Sequence, residues 1–393
     1  MTSNKSLKGV ATLGILSVFL IGQSAFIVNP ALSGFARQYP DVSYSTILMI
    51  STLPSLLIVP SSLIAGAIAG KKIRYRTLCL ISCILALVGG IVPFFIRSFP
   101  VILASRAIFG IGNGLSMPLG NALIMRLIKK ERVAGMLGAG NLMQNLTGVI
   151  IQNVAGIVCA ANLDATWLCH LFLSIPLLLI LFFLPEPEKE EAVDADRKTE
   201  KERLPLFVYI MSAAYGLSWA TTYPLLLNMS VIVESEGLGT AAIAGTILSM
   251  YTIGGMISGA LFGMFYKVFR NRTLMINLIF WVVFLALGYF AKSIVLLMIS
   301  ALMIGFTVFS VWSAAMVDFN NYLPSEQVTA ASGIWVAFLN IGGFLASFYA
   351  GAVASITGNS SPRLPLLIGA FISSAIFVAW MIGKVTLDRK YVK

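Results

Sequence analysis

Arg106 is the one basic residue, of 27, that lies within a long apolar stretch, residues 100–125. A charge inside a membrane-length apolar segment costs ~2.5–3.5 kcal/mol on insertion scales, so such a residue usually has a function or a buried partner. Gly110, Asn113 and Met117 follow Arg106 at three- and four-residue spacing, which places them on its helix face. Two roles fit this position. The guanidinium binds an anionic substrate through a bidentate contact, or it is structural and bonds nearby polar groups and carbonyls.

The other side chains with chemical potential form no soluble-enzyme motif. His170 is the single histidine, and no cluster of acids or cysteines accompanies it, so a hydrogen bond to a neighbouring helix is the expected role. The four cysteines have neither disulfide nor metal-ligand spacing. The chain matches neither a P-loop nor a dinucleotide fingerprint. The sequence therefore predicts no enzyme, no metal site and no cofactor.

The elements that position these residues are long apolar segments. Hydrophobic residues make up 58% of the 393 residues and charged residues 11%, against about 45–50% and about 25% in soluble proteins. Twelve stretches are long enough to cross ~30 Å of hydrocarbon as helices. They lie near 9–34, 43–70, 77–96, 100–125, 133–159, 165–184, 205–233, 238–266, 273–291, 293–317, 328–356 and 364–383. We therefore expect an all-α integral membrane protein with twelve transmembrane helices.

An internal repeat divides these segments into two related halves. The loop 73–78 (IRYRTL) returns 196 residues later as 269–274 (FRNRTL), and Pro30 returns as Pro224. Two further pairs recur in the same order, Glu131 with Glu326 and Asn145 with Asn340. Internal repeats of apolar segments are typical of transporter folds. We expect an N-terminal six-helix bundle over 1–184, a charged cytoplasmic central loop over 185–204 and a C-terminal six-helix bundle over 205–393.

The positive charge predicts the orientation in the membrane. With a cytoplasmic N-terminus, 22 lysines and arginines face inward and four face outward, Arg37, Arg97, Lys292 and Arg363. Cytoplasmic loops carry an excess of this kind. We expect both termini to be cytoplasmic, and the net charge of +11 to face anionic lipid rather than nucleic acid.

Four motifs resemble those of the major facilitator superfamily. Residues 106–112 (RAIFGIG) fit the R-x-x-x-G-x-G motif of the fourth helix without a gap, and 66–76 resembles the signature between the second and third helices. Residues 184–186 (LPE) resemble the end of the first half, and 27–32 (IVNPAL) the pattern of the first helix. The resemblance covers essentially the whole chain. It implies two pseudo-symmetric six-helix bundles, transport by alternating access, and a third possible role for Arg106, modulation of coupling.

Three positions depart from the family's patterns. Gly70 stands where the loop signature normally has an aspartate, and Gln152-Asn153 where drug antiporters typically have Gly-Pro. Ser24 stands where some proton-coupled members have an acid. These departures weaken an assignment to proton-coupled drug antiport.

The resemblance places the first, fourth, seventh and tenth helices around a central cavity, which gives a set of candidate substrate-cavity residues with amide, aromatic or basic side chains. They are Gln23, Asn29, Arg106, Asn113, Trp219, Tyr223, Asn228 and Trp312, together with Asn145 and Gln152 on the fifth helix. Aromatic side chains with a few polar groups suit an organic solute, although helix packing also accounts for each aromatic residue.

Charged residues in the cytoplasmic loops predict a gate, although the ordinary excess of positive charge in cytoplasmic loops also accounts for the arginines. Arginines of one loop and acids of another, in both halves, are expected to pair at the inner ends and to separate as the halves rock. The residues are Arg74, Arg76, Glu131, Arg270, Arg272, Asp318 and Glu326.

The expected function is secondary active transport of a small organic solute across the bacterial inner membrane, with efflux of a drug-like compound or metabolite favoured. The alternative is uptake or exchange of an organic anion held by Arg106. A non-transporting sensor and a lipid flippase are remote alternatives. The expected partners are the solute, the bilayer and a coupling ion, proton or sodium, that the sequence does not select. A monomer is expected.

Overall fold

The computed structural model describes residues 9–187 and 204–391, which form helices at all twelve predicted positions. Within this described part, ten helices are long and apolar enough to cross a membrane. A pair bent by 42°, Gly9–Leu20 and Gly22–Gln38, makes an eleventh. The remaining predicted span, near 205–233, is a helix in three consecutive pieces that together run from 206 to 235. The predicted all-α membrane fold is confirmed.

We number the twelve segments α1 to α12 in chain order. They are α1 (Gly9–Ser17, Val18–Leu20, Gly22–Ala31 and Leu32–Gln38), α2 (Tyr44–Ile68), α3 (Tyr75–Phe95), α4 (Phe99–Leu127), α5 (Lys130–Ala161), α6 (Asp164–Leu173 and Ser174–Phe183), α7 (Leu206–Thr222, Pro224–Leu227 and Met229–Ser235), α8 (Ala241–Phe269), α9 (Thr273–Phe290), α10 (Ile294–Tyr322), α11 (Ser325–Thr357) and α12 (Leu364–Tyr391).

Helices α1 and α7 are irregular at positions that the repeat relates to each other. In α1 the winding is 3₁₀ over Val18–Leu20 and Gly22–Ala31, with Pro30 inside the second stretch. In α7 the pieces meet at Tyr223 and Asn228, and Pro224 begins the middle piece. Proline supplies no backbone N–H and interrupts the hydrogen-bond ladder. Because 3₁₀ winding within a long helix often marks a functional hinge, the irregular part of α1 is a candidate for a functional role, and the repeat makes the interrupted part of α7 its counterpart.

Contacts divide the chain into two compact units, and the boundary falls inside α1, α2 and α5. Unit 1 comprises 1–28, 53–151 and 164–200, and unit 2 comprises 29–52, 152–163 and 201–393. One end of each of these three helices thus packs with the C-terminal part of the chain. By the charge count this is the end predicted to face outward, and we call it the predicted outer end. The division into bundles at residue 184 stays a prediction.

In unit 1, α4 packs closely on two neighbours through the glycines of the R-x-x-x-G-x-G motif. A Cβ atom added at Gly110 would lie 2.7 Å from the Cα of Pro54 in α2. One added at Gly112 would lie 2.7 Å from the carbonyl oxygen of Ser82 in α3, and the Ser82 hydroxyl donates to the Gly112 carbonyl at 2.7 Å. The two glycines therefore let two different helix backbones approach α4, as small residues do in membranes.

Glu186, just after α6, binds the first turn of α3. The backbone N–H groups of Tyr75 and Arg76 donate to its two carboxylate oxygens at 2.7 and 2.8 Å. The first N–H groups of a helix lack partners within the helix and attract negative charge. Glu186 thereby ties the end of α6 to the loop between α2 and α3.

In unit 2, an aromatic core joins the helices of the second sequence half. Tyr215 stacks on Trp335 with ring centroids 4.3 Å apart and meets Trp281 edge to face at 5.8 Å. Elsewhere in unit 2, the Arg363 guanidinium donates to both carboxylate oxygens of Glu236 and, at 2.6 Å, to the Gly288 carbonyl near the end of α9. A cation at a helix C-terminus satisfies free carbonyls.

Candidate functional site

A buried polar cluster in unit 2 brings together the irregular parts of α1 and α7. The Ser51 hydroxyl of α2 donates to Asn29 Oδ1 of α1 at 2.6 Å and lies 3.4 Å from the Tyr223 hydroxyl of α7. All three residues are buried, and Asn29 is only 1% exposed. Because polar groups inside a membrane are retained mainly for packing or function, this cluster is the leading candidate site.

Aromatic rings form one side of this cluster. Trp219 stacks on Tyr223 with centroids 4.9 Å apart, and Tyr251 of α8 lies 6.0 Å from Trp219. We call Asn29, Ser51, Trp219, Tyr223 and Tyr251 the amide–aromatic cluster. Its members are uncharged side chains that combine amide and hydroxyl groups with ring faces, which suits a neutral organic solute.

A second buried amide belongs to Asn228, which follows Tyr223 by about one helical turn in α7. Asn228 Oδ1 accepts from the Tyr44 hydroxyl at 2.9 Å, and its Nδ2 donates to the Pro362 carbonyl at 2.8 Å. Asn228 is 1% exposed. Since both ends of this amide are satisfied by the protein, Asn228 links α2, α7 and the segment before α12.

Hydrogen bonds between α5 and α8 close the predicted outer end. Gln152 Nε2 donates to the Thr252 hydroxyl at 2.9 Å. Asn153 Nδ2 donates to the Ser249 hydroxyl at 2.9 Å, and its Oδ1 accepts from the Thr246 hydroxyl at 3.0 Å. Thus Gln152-Asn153, where drug antiporters typically have Gly-Pro, join two helices that come from different sequence halves.

The same helix pair comes into backbone contact at two glycines. A Cβ atom added at Gly156 would lie 2.7 Å from the Ala241 carbonyl oxygen, and one at Gly245 would lie 2.5 Å from the Gln152 carbonyl oxygen. Larger side chains at either glycine would force the helices apart. We call the α5–α8 hydrogen bonds together with this glycine contact the outer closure.

Further bonds of unit 2 cross the same end. Arg37 and Glu234 form an ion pair of 2.5 Å, and the Thr52 hydroxyl donates to Ser347 at 3.1 Å. A cavity of about 550 Å³ opens beside the ion pair and is also lined by Cys159. The ends of α1, α2 and α5 are therefore bonded to helices of the second half.

Arg106 lies inside unit 1 and is fully buried. Its Nη1 lies 3.4 Å from His170 Nε2 in α6, and its guanidinium carbon lies 4.1 Å above the ring of Phe109. His170 Nδ1 lies 3.0 Å from the Trp167 carbonyl oxygen. The predicted hydrogen bond of His170 to a neighbouring helix is present, and these contacts agree with the structural role of Arg106.

The remaining predicted cavity residues do not join the amide–aromatic cluster. Gln23 and Asn113 are buried in unit 1. Asn145 Nδ2 donates at 2.9 Å to the Asn141 carbonyl of its own helix. Trp312 packs in the aromatic core, 6.4 Å from Tyr215. A substrate role for these residues stays a prediction.

The residues of the predicted cytoplasmic gate divide between the units. Arg74, Arg76 and Glu131 belong to unit 1, and Arg270, Arg272 and Asp318 to unit 2. The Arg76 side chain donates to the Leu181 carbonyl and its backbone to Glu186, so the described bonds of Arg76 are to the end of α6. The side chain of Glu326 lies outside the described residues. The gate itself stays a prediction.

The sequence did not predict several residues in and around the candidate site. Tyr44, Ser51 and Tyr251 are single hydroxyl or aromatic residues within apolar stretches, a pattern too common to select them. The pair Gln152-Asn153 was singled out as a departure from the family pattern, and that departure is the signal that locates the outer closure.

Comparison with known proteins identifies the family. The model of the Major Facilitator Superfamily matches residues 14–223 and 208–391, which together cover nearly the whole chain. The chain belongs to the Major Facilitator Superfamily. Membership confirms the resemblance seen in the sequence and makes this protein a multi-pass membrane transporter.

Two curated relatives belong to the same group. An uncharacterized MFS-type transporter of Bacillus subtilis, YfiU, is 25% identical over 218 residues, which are 56% of this chain and 42% of that protein. The match thus covers less than half of the Bacillus protein. A probable sugar efflux transporter of Mannheimia succiniciproducens is 21% identical over 338 residues, 83% of this chain and 82% of that protein.

A solved structure shares the fold of this superfamily member. A mutant form of the nucleoside transporter NupG superposes with a TM-score of 0.78 at 15% identity, and the match covers 95% of this chain and 99% of the NupG chain. At this identity the likeness establishes the fold alone.

Proposed function

We propose that this transporter exports a small neutral organic solute, a sugar-like metabolite or a comparable drug-like compound, across the bacterial cytoplasmic membrane by alternating access. The observation that carries the proposal is the amide–aromatic cluster, in which uncharged buried side chains surround the interrupted parts of α1 and α7. Interrupted helices commonly form the substrate sites of secondary transporters. Aromatic faces and amide groups together suit a ring with hydroxyl groups.

A relative supports the direction and the substrate class. The Mannheimia protein, similar over 83% of this chain, is described as a probable sugar efflux transporter. The predicted orientation with cytoplasmic termini, from the distribution of lysine and arginine, agrees with a transporter of the inner membrane.

The surroundings of Arg106 argue against the anion carrier as the leading function. A bidentate contact with a substrate carboxylate would have to displace neighbours that the guanidinium already has. Arg106 packs against His170 and Phe109. Its charge is thus best explained by contacts within unit 1.

Transport by alternating access requires the predicted outer end to open. In this structure the outer closure and the Arg37–Glu234 pair hold that end together. Release of the solute to the outside would break these bonds, and their re-formation would return the site to the inside. Most of these bonds join uncharged groups, so the free energies of the closed and open states can differ by only a few kcal/mol.

The test is solute flux in everted membrane vesicles and in proteoliposomes. We expect accumulation of radiolabelled D-xylose or uridine in everted vesicles, and loss of this uptake in Tyr223→Leu. An Arg106→Lys variant that folds should retain the substrate preference. The opposite result, transport of benzoate but of neither neutral probe, with loss in Arg106→Lys, would establish the anion carrier instead.

A further inference from the structure

Two buried asparagines on the interrupted helices differ in how their amides are satisfied. Asn228 uses both ends of its amide within the protein, through Tyr44 and Pro362. Asn29 uses only its oxygen, which accepts from Ser51. Its Nδ2 has no acceptor among the described residues, although the atom is buried. An unsatisfied buried donor destabilises a protein, so this arrangement calls for an explanation.

The neighbours of Asn29 hold its amide in one orientation. The two hydroxyl groups can donate in series, Tyr223 to Ser51 and Ser51 to Asn29 Oδ1. Ser51 donates at 2.6 Å, a short bond that leaves Nδ2 directed away from it. Asn29 also lies in the 3₁₀ stretch beside Pro30. The amide is therefore fixed by side chains from α2 and α7 with its donor left over.

We infer that Asn29 determines specificity by donating a hydrogen bond from Nδ2 to an oxygen atom of the solute. This inference rests on the proposed function and extends it. The solute carries a hydroxyl or carbonyl oxygen next to the ring that contacts Trp219 and Tyr223. A site built to hydrogen-bond a substrate discriminates strongly against analogues that lack the bonding group, because its polar group is then left unpaired. Ser51 and Tyr223 act as positioning residues for this donor.

The experiment combines thermal stability with binding on the purified full-length protein. Melting temperatures are measured without ligand and with D-xylose, uridine, benzoate or tetraphenylphosphonium, since a ligand that prefers the folded state raises stability. Dissociation constants follow from titration. The variants are Asn29→Leu, which removes the donor at similar volume, Ser51→Ala, which releases the amide, and Asn228→Leu as the matched buried asparagine.

We expect a neutral probe to stabilise the wild type and to bind Asn29→Leu at least about tenfold more weakly, as for a lost hydrogen bond of about 1.4 kcal/mol. Ser51→Ala should show an intermediate loss of affinity. Without ligand, Asn29→Leu should lower the melting temperature less than Asn228→Leu does, because it removes an unsatisfied donor and leaves the Ser51 hydroxyl with Tyr223 as a partner. Asn228→Leu should melt lower, because it strands the Tyr44 hydroxyl and the Pro362 carbonyl.

Two results would overturn the inference while leaving the proposed function intact. One is wild-type affinity for the neutral probe in Asn29→Leu. The other is a loss of stability without ligand in Asn29→Leu as large as in Asn228→Leu, which would make Asn29 structural. If neither neutral probe stabilises the wild type and benzoate does, the proposed function fails and the inference fails with it.

Discussion

Arg106 Nη1 lies 3.4 Å from His170 Nε2, while the other ring nitrogen of His170 lies 3.0 Å from the Trp167 carbonyl oxygen. A carbonyl only accepts, so Nδ1 carries the proton, and Nε2 is the acceptor for the arginine. The only histidine of the chain is thereby a neutral partner for the only cation inside a predicted span.

Removing this acceptor should destabilise the protein more than removing the cation. In His170→Phe the buried guanidinium of Arg106 loses an acceptor, which costs about 1–3 kcal/mol or more for a charged group. In Arg106→Gln the site loses its charge along with the contact, so the loss should be smaller. Melting temperatures of the purified variants measure the difference, with the exposed Arg37→Gln as control. Equal losses for both variants would contradict this ranking.

Two glutamates at the C-terminal end of α7 should differ in their contributions to stability. Glu234 pairs with Arg37, whose side chain is 68% exposed, and Glu236 pairs with Arg363, whose side chain is 9% exposed. Loss of Glu234 leaves Arg37 exposed to solvent, and such pairs contribute about 0.2–1 kcal/mol. Loss of Glu236, itself 34% exposed, leaves the charge of Arg363 buried without its partner, which costs more. We expect Glu236→Gln to lower the melting temperature clearly and Glu234→Gln to change it little.

The difference between the two variants can be checked by measuring their melting temperatures at high ionic strength. Salt screens exposed charges, so the small effect of Glu234→Gln should vanish in 1 M NaCl, a concentration at which the screening length is about 3 Å. The effect of Glu236→Gln should persist. A salt-sensitive Glu236→Gln would show that the Arg363 pair is solvated.

Separation of α5 from α8 should open the predicted outer end. In Gly245→Leu the new side chain meets the Gln152 carbonyl, whereas a Cβ at Gly259 of the same helix meets nothing within 4 Å. With the other three cysteines replaced by alanine, we expect Cys159 to react several-fold faster with a membrane-impermeant maleimide in Gly245→Leu. Gly259→Leu is the control. A rate that Gly245→Leu leaves unchanged would show that the glycine contact does not hold this end closed.

Glu186 should stabilise unit 1 by binding the first turn of α3. In Glu186→Ala the N–H groups of Tyr75 and Arg76 lose a charged acceptor, and a bond to a charged group contributes about 1.5–3 kcal/mol. Glu131→Ala, an exposed position in the first turn of α5, should change stability by less than about 0.5 kcal/mol. The amount of protein that stays monodisperse after heating measures both. A larger effect of Glu131→Ala would instead favour a partner for that residue in the gate.

Apolar length and the repeat predicted the helices well, because both are properties of continuous sequence. Pro30 and Pro224, which entered the prediction only as landmarks of the repeat, lie in the irregular parts of α1 and α7, and these interruptions were not predicted. The partners inside the membrane were harder to predict. Ser51 meets Tyr223 across 172 positions, and Arg106 meets His170 across 64, and no local pattern records such pairs. For the same reason the sequence did not indicate that the backbone N–H of Arg76 donates to Glu186, 110 positions away, or that its side chain donates to the Leu181 carbonyl. The predicted pairing of the loop arginines with Glu131 stays a prediction.

The boundary between the two units runs through α1, α2 and α5. A fragment that contains only the first sequence half would therefore lack partners for one end of each of these helices. A fragment of residues 1–184 would carry Gln152, Asn153 and Thr52 without the hydroxyl groups of α8 and α11 that satisfy them. Lipid supplies no replacement for such partners. Expressed alone, the fragment should be degraded in the cell, and co-expression with residues 185–393 should rescue it. The gene for this transporter could then be split into two, but each fragment would be stable only in the presence of the other.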